Sequence, residues 1–174
     1  MTLPLQHRPG NARGFTLVEL VITMTLASIL VGMGVPALRS LMERNWRASL
    51  TNHLVSDLML ARSEAVKRGG YVTLCHSSDE SACNGSWADG WIIFVDGDGD
   101  QTLDSGEELL RRYQPDAGPY TIVSATDAIT FHPTGMLQAP SARVELAVTH
   151  DDAEEACLEL APTGRPRLDH GGCS

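Results

Sequence analysis

Residues 14–38 read GFTLVELVITMTLASILVGMGVPAL. From Leu20 to Leu38 the chain runs 19 residues without a charge. A helix rises about 1.5 Å per residue and needs about 20 apolar residues to cross a bilayer. The core helix of a soluble protein seldom goes this far without a polar face. A secretory signal has a shorter apolar region and carries no acid at its start. Glu19 is the anomaly, because a carboxylate carried into hydrocarbon costs about 2.5–3.5 kcal/mol. It needs a cationic partner, or a position at headgroup level from which it reaches water. The segment in front, MTLPLQHRPGNARG, holds Arg8 and Arg13 and no acid, so the positive-inside rule keeps it in the cytoplasm, although Arg39, Arg44 and Arg47 follow on the far side. Trp46 and those arginines suit a membrane interface. Gly32, Gly34 and Pro36 should weaken the helix, proline alone costing about 3 kcal/mol in a helix interior.

Beyond Pro36 the pattern turns amphipathic. Leu50, Leu54, Leu58, Ala61 and Ala65 recur at three- and four-residue steps, while Arg44, Arg47, Asp57, Arg62, Glu64 and Lys67 take the other positions. Gly69-Gly70 supplies a stop. The spacing predicts one helix over about 15–68, with residues 15–38 in the membrane and 39–68 burying one stripe against a head formed by residues 69–174.

Charge divides the chain at the same place. Residues 1–68 carry eight Lys/Arg against four Asp/Glu, and residues 69–174 carry five against eighteen. The overall charge of −9 argues against generic nucleic-acid binding, so any phosphate contact must come from a local basic cluster. The acidic part reads as short strands: Tyr71–Cys75, Trp91–Val95, Glu108–Tyr113, Tyr120–Val123, Ala128–Phe131, Arg143–Val148 and Cys157–Leu160. An α+β architecture follows, with two small antiparallel sheets leaning on the second half of the helix. All four cysteines lie in the head and none forms a CxxC pair. Two disulfides in an oxidising compartment are expected, against four reduced buried thiols. Three pairings are open; Cys75–Cys83 and Cys157–Cys173 are favoured, each closing a short loop of the kind worth about 2–4 kcal/mol.

One loop has metal-ligand spacing. In Asp96–Glu107, the residues Asp96, Asp98, Asp100, Thr102, Asp104 and Glu107 fall at positions 1, 3, 5, 7, 9 and 12 of an EF-hand loop, and hard oxygens so placed can wrap Ca²⁺. Gln101 stands where such a loop wants glycine, and the flanks read as strands rather than helices. The competing reading is a solvated acidic hairpin without metal and a protein with no cofactor. No enzymatic constellation appears: GxSxG, HExxH and phosphate-binding glycine loops are all missing. His150, beside Asp151 and Asp152, reads as a surface turn. The chain is therefore read as a non-enzyme.

Gly14-Phe15-Thr16-Leu17-Val18-Glu19 resembles the processing site of type IV pilins and type II secretion pseudopilins. The resemblance implies a prepilin leader over residues 1–14, cleavage between Gly14 and Phe15 by a prepilin peptidase, and N-methylation of Phe15. It further implies a type IV pilin fold, and a single pass through the bacterial inner membrane with a periplasmic C-terminal head. In that family the glutamate at this place pairs with the N-terminal amine of a neighbouring subunit, which assigns Glu19 to filament assembly with other pilins. Asp89–Asp96, the acidic loop after it and Pro162-Thr163-Gly164-Arg165 resemble the GspH/FimT class, so the likeness covers nearly the whole chain. Within it, Gly164-Arg165-Pro166-Arg167 is similar to the GRxR motif of DNA-binding FimT minor pilins. That similarity implies phosphate contacts from Arg165 and Arg167, a fit for the paired donors of guanidinium. The motif lies inside the proposed Cys157–Cys173 loop, where it would be displayed on an exposed, tethered segment; His170 shares that C-terminal loop. Asp169, Glu159 and the acids at 151–155 oppose it, so binding by two arginines alone would be weak. Three roles stand at this point: a FimT-like minor pilin that captures DNA, an H-type pseudopilin of type II secretion without a DNA role, and a membrane-anchored calcium-binding module.

Overall fold

A computed structural model describes residues 14–115, 120–138, 144–150 and 153–170. The chain forms two compact units, Met1–Glu43 and Arg44–Ser174. Helix α1, Leu17–Arg68, contributes to both. Residues 1–13 of the expected leader lie outside the described residues.

In the first unit the helix begins after Thr16, whose Oγ1 accepts the Glu19 N–H at 3.2 Å. Thr16 is therefore the N-cap, and Glu19 holds the third helical position of a capping-box pattern. Leu17–Val35 has a mean hydropathy of 2.0 over 19 residues and is nowhere buried, so by length and composition it can cross a membrane. Its hydroxyls are hidden by back-bonding: Thr23 donates to the Leu20 carbonyl at 2.9 Å, Thr25 to that of Val21, and Ser28 to that of Thr25 at 2.8 Å. Helical backbone continues through Gly32, Gly34 and Pro36, as the expected single helix requires. In hydrocarbon a broken helix leaves backbone groups without water, which favours keeping the helix closed despite poor formers.

In the second unit α1 buries the predicted stripe of Leu50, Leu54, Leu58, Ala61 and Ala65. It ends where Gly69 takes φ 65° and the N–H groups of Gly69 and Gly70 both donate to the Ala65 carbonyl, at 3.0 and 3.3 Å. Eight strands follow: β1 Tyr71–His76, β2 Trp91–Asp96, β3 Leu109–Tyr113, β4 Tyr120–Ser124, β5 Ala128–Phe131, β6 Val144–His150, β7 Ala153–Leu160 and β8 Pro166–His170. They form two antiparallel four-stranded sheets, ordered β3-β2-β1-β5 and β4-β6-β7-β8. The helix stripe packs with Val72, Leu74, Trp91, Ile93, Ile129 and Phe131 of the first sheet and Ile122, Leu158 and Leu160 of the second. The opposite face of the first sheet buries Cys75, Ile92, Phe94 and Ala128 under Cys83, Leu103 and Leu109. Because β2 is covered on both faces, its apolar run is continuous rather than alternating.

Two expectations need correction. Asp57, read as one of the polar positions off the stripe, is fully buried: Trp91 Nε1 donates to its Oδ2 at 2.7 Å and Arg111 Nη1 lies 3.1 Å from its Oδ1. A paired, hydrogen-bonded carboxylate can sit in a core where a bare one could not. The segment after Gly164, expected to be a tethered loop, is strand β8, paired in register with β7 through Glu159↔Arg167 and Leu160↔Pro166. His170 closes that strand. Arg143, Asp151 and Asp152 lie outside the described residues.

Cys75 and Cys83 form a disulfide, as favoured, and no described cysteine is free. Cys157 is disulfide-bonded; its favoured partner, Cys173, lies outside the described residues.

Candidate functional site

Three places carry the residues singled out above. The first is the start of α1. Gly14 and Phe15 are exposed and precede the first helical turn, so the bond between them is accessible and non-helical. Glu19 is exposed within that turn, where the helix dipole favours an acid. The Thr16 cap uses the Glu19 backbone and leaves its carboxylate free, with no partner among the described residues.

The second is the acidic loop between β2 and β3. Asp96 is buried and organises it: Oδ1 accepts from the N–H groups of Gly99 at 2.7 Å and Asp100 at 3.1 Å, while Oδ2 accepts from Thr73 Oγ1 at 2.6 Å and the Gln101 N–H at 3.1 Å. Glu107 closes the far end by accepting from the Gly97 N–H at 2.6 Å and the Asp104 N–H at 3.0 Å. Thr102 gives its N–H to Asp100 Oδ1 at 2.7 Å. Asp96, Asp98 and Glu107 each bring a carboxylate oxygen within 4.8 Å of the other two, as do Asp98, Asp100 and Asp104. Asp104 feels this crowding: the nearby Asp100 charge first, then desolvation, Asp98 and Glu107, push its carboxyl above the usual value. Gln101, at the position where glycine was wanted, adopts φ 70°, and its Nε2 donates to Thr130 Oγ1 at 3.0 Å. The left-handed turn is thus made without glycine, at a backbone cost of about 1–3 kcal/mol that side-chain tethering offsets. The flanks are strands, as read.

The third place is the β7–β8 hairpin. Its tip, Ala161-Pro162-Thr163-Gly164-Arg165, is a turn closed by Gly164 N–H to the Ala161 carbonyl at 2.8 Å and Ala161 N–H to the Arg165 carbonyl at 3.1 Å. Proline at the second turn position and a left-handed glycine before the returning strand suit this geometry. Gly164 has φ 73°, and a Cβ there would collide with the carbonyl oxygen of Gly135. The glycine of the motif therefore serves the turn. Arg165 and Arg167 are both exposed. Arg167 is already engaged: its Nε lies 3.1 Å from Asp169 Oδ2 and its Nη2 donates to Oδ1 at 3.2 Å.

Two features of this tip escaped the sequence reading. Its turn has a twin in His132-Pro133-Thr134-Gly135-Met136, closed by Gly135 N–H to the His132 carbonyl at 2.7 Å and His132 N–H to the Met136 carbonyl at 2.8 Å. The twins are joined by the Leu137 N–H donating to the Pro162 carbonyl at 2.9 Å. The repeated Pro-Thr-Gly at 133–135 and 162–164 was a legible signal. The second feature is Arg62 on α1, whose Nε donates to the Gly135 carbonyl at 2.8 Å.

A family model described as type II transport protein GspH matches residues 50–164, and one described as the prokaryotic N-terminal methylation motif matches residues 10–35. The pilin-like protein PilA1 of Thermus thermophilus is 29% identical over 97 residues, which make up 56% of this chain and 56% of that protein. The match thus spans little more than half of the curated relative's length. The type IV minor pilin FimU of Pseudomonas aeruginosa is similar in two crystal forms. One has a TM-score of 0.59 at 24% identity, covering 73% of this chain and 90% of that one. The other has a TM-score of 0.55 at 22% identity, covering 70% and 91%. At these identities the likeness is one of fold, a long N-terminal helix with an antiparallel head.

Proposed function

This chain belongs to the GspH family of type II transport proteins and carries the prokaryotic N-terminal methylation motif, and from that premise we propose that it is a FimT-like minor pilin whose head captures DNA. As a minor pilin or pseudopilin it is a membrane-anchored structural subunit rather than an enzyme. In the proposed cycle a prepilin peptidase cuts after Gly14 and methylates Phe15. The helix waits in the bacterial inner membrane with its head in the periplasm. It then enters a filament as Glu19 meets the amine of a neighbouring subunit. The apolar surface of Leu17–Val35, covered by lipid before assembly, is covered by other subunits afterwards.

The observation that carries the DNA role is Arg165, exposed on a turn whose conformation is fixed by proline, glycine and the neighbouring twin turn. A preset turn lowers the ordering cost of presenting a cation to phosphate. The contact would be tolerant of sequence and sensitive to salt. In a gel shift at low salt, wild type should retard duplex DNA and the Arg165→Ala/Arg167→Ala variant should not; equal retardation removes the DNA role. Nothing in the membrane segment separates this reading from its rival, an H-type pseudopilin. Deleting the gene and assaying twitching, transformation and protein secretion separately distinguishes them, since the FimT-like reading expects secretion to survive.

A second reading adds Ca²⁺ at the acidic loop. It is favoured by Gln101 taking the conformation that an EF-hand loop assigns to glycine, and by two carboxylate triplets that share Asp98: Asp96, Asp98 and Glu107, and Asp98, Asp100 and Asp104. An ion there would relieve the repulsion that raises Asp104. The backbone N–H groups already held by Asp96 and Glu107 keep the loop closed without it, so affinity should be modest, on the order of 10⁻⁴–10⁻³ M as in extracellular modules. Calorimetric titration should show saturable heat that is lost in Asp98→Asn/Asp104→Asn. No heat at millimolar Ca²⁺ removes this reading.

A further inference from the structure

We propose that the principal phosphate-binding pair of this head is Arg62 with Arg165, and that Arg167 is subsidiary. The inference rests on the nucleic-acid reading above and changes which residues carry it. The ligand class is the phosphodiester backbone of DNA.

Arg165 and Arg167 stand two apart in sequence and so were paired by motif. Their surroundings differ. The guanidinium of Arg167 is spanned by both carboxylate oxygens of Asp169, at 3.1 and 3.2 Å, and the strand register sets Glu159 opposite it. Asp169 occupies the Nε–Nη2 edge of Arg167 and offsets its charge, so a phosphate there meets only the outer Nη1–Nη2 edge and a neighbouring acid.

Arg62 arrives at the tip from the helix. Its Nε donates to the Gly135 carbonyl at 2.8 Å and lies 3.1 Å from the point where a Cβ on Gly164 would stand, one residue before Arg165. A carbonyl bond uses one of the five guanidinium donors and neutralises none of its charge. No acid pairs with Arg62 among the described residues. The site for it exists because both turns have glycine at their left-handed position, Gly135 at φ 77° and Gly164 at φ 73°. A Cβ on Gly135 would lie 3.2 Å from Arg62 Nε and 3.5 Å from Nη2. The repeated Pro-Thr-Gly turns therefore leave room for a guanidinium between helix and hairpin. The carbonyl bond holds that group in place, so less side-chain freedom is lost when phosphate binds.

The test uses the full-length protein in detergent micelles and fluorescence anisotropy with a labelled DNA duplex over a salt series. Arg62→Gln keeps an amide donor for the Gly135 carbonyl but removes the charge; Arg62→Lys keeps the charge. Arg62→Gln and Arg165→Gln should each weaken binding about tenfold, as expected for losing a charged hydrogen bond. Each should also flatten the log–log salt slope by about 0.9, one phosphate contact. Arg167→Gln should cost less than Arg62→Gln, and Arg62→Lys should stay closer to wild type than Arg62→Gln does. An unchanged melting temperature for Arg62→Gln separates lost charge from a lost turn. Wild-type affinity in Arg62→Gln, a larger loss in Arg167→Gln, or an equal fall in Arg62→Lys overturns the pairing alone. A wild-type protein that binds no duplex at low salt overturns the DNA reading itself.

Discussion

Replacing Glu19 with alanine should leave cleavage after Gly14 intact and reduce incorporation into filaments by at least about tenfold, which is what losing only about 1.4 kcal/mol of subunit contact does. The helix start survives the change, because the Thr16 cap accepts the backbone N–H of residue 19, which alanine retains. The carboxylate is the part removed, and it has no partner among the described residues. In the proposed filament it meets a neighbour's N-terminal amine in apolar surroundings. Removing one member of a buried ion pair there leaves the other charge uncompensated, at a cost of about 3–5 kcal/mol. Glu19→Asp should recover part of the loss. Immunoblotting of processed chain in membrane and filament fractions checks the prediction; normal incorporation of Glu19→Ala contradicts it.

Asp57→Ala should strongly destabilise the head. It strips the acceptor from the Trp91 indole, which is 1% exposed, and leaves Arg111 without its carboxylate. It also opens a cavity beside Trp91, on which Tyr113 stacks at 4.3 Å between ring centroids. The unsatisfied indole donor costs about 1–3 kcal/mol and the cavity adds to it, for an expected loss of about 3–5 kcal/mol. That corresponds to a fall in Tm of about 6–20 °C for a chain of this size. Asp57→Asn keeps the indole bond and should cost less. Arg111→Ala removes a side chain that is 43% exposed but leaves the fully buried Asp57 carboxylate without its cation, so it too should be strongly destabilising. A thermal melt of Asp57→Ala within about 2 °C of wild type, inside the shift of about 1 kcal/mol, contradicts this account.

The two halves of α1 were legible because their periodicities are long and uninterrupted: an uncharged run, then a five-residue stripe that is buried as spaced. The glycine stop after Arg68 and the strands rich in β-branched and aromatic residues were legible for similar local reasons. Asp57 was not, since its charge marks it as a surface residue and its partner Trp91 is 34 positions away. Strand β8 was missed because Gly164 and Pro166 signal a turn and the alternation of Pro166-Arg167-Leu168-Asp169 is only four residues long; it is a strand by virtue of pairing with β7. At the candidate sites, the types of residue were readable and their commitments were not. Sequence spacing placed Arg165 and Arg167 together, whereas the fold ties Arg167 to Asp169 and brings in Arg62 from the helix. In the acidic loop Gln101 counted against the metal reading without closing it, and a glutamine held by Thr130 takes the glycine's conformation.

The central claim is that GFTLVE marks a processed filament subunit rather than a secretory signal or a plain anchor. Mass spectrometry of the N-terminal peptide from protein recovered from membranes tests it most directly. The account predicts a chain that begins at Phe15 with an N-methylated amine. A chain that still begins at Met1, or one cut beyond the apolar run as a signal peptide would be, contradicts it.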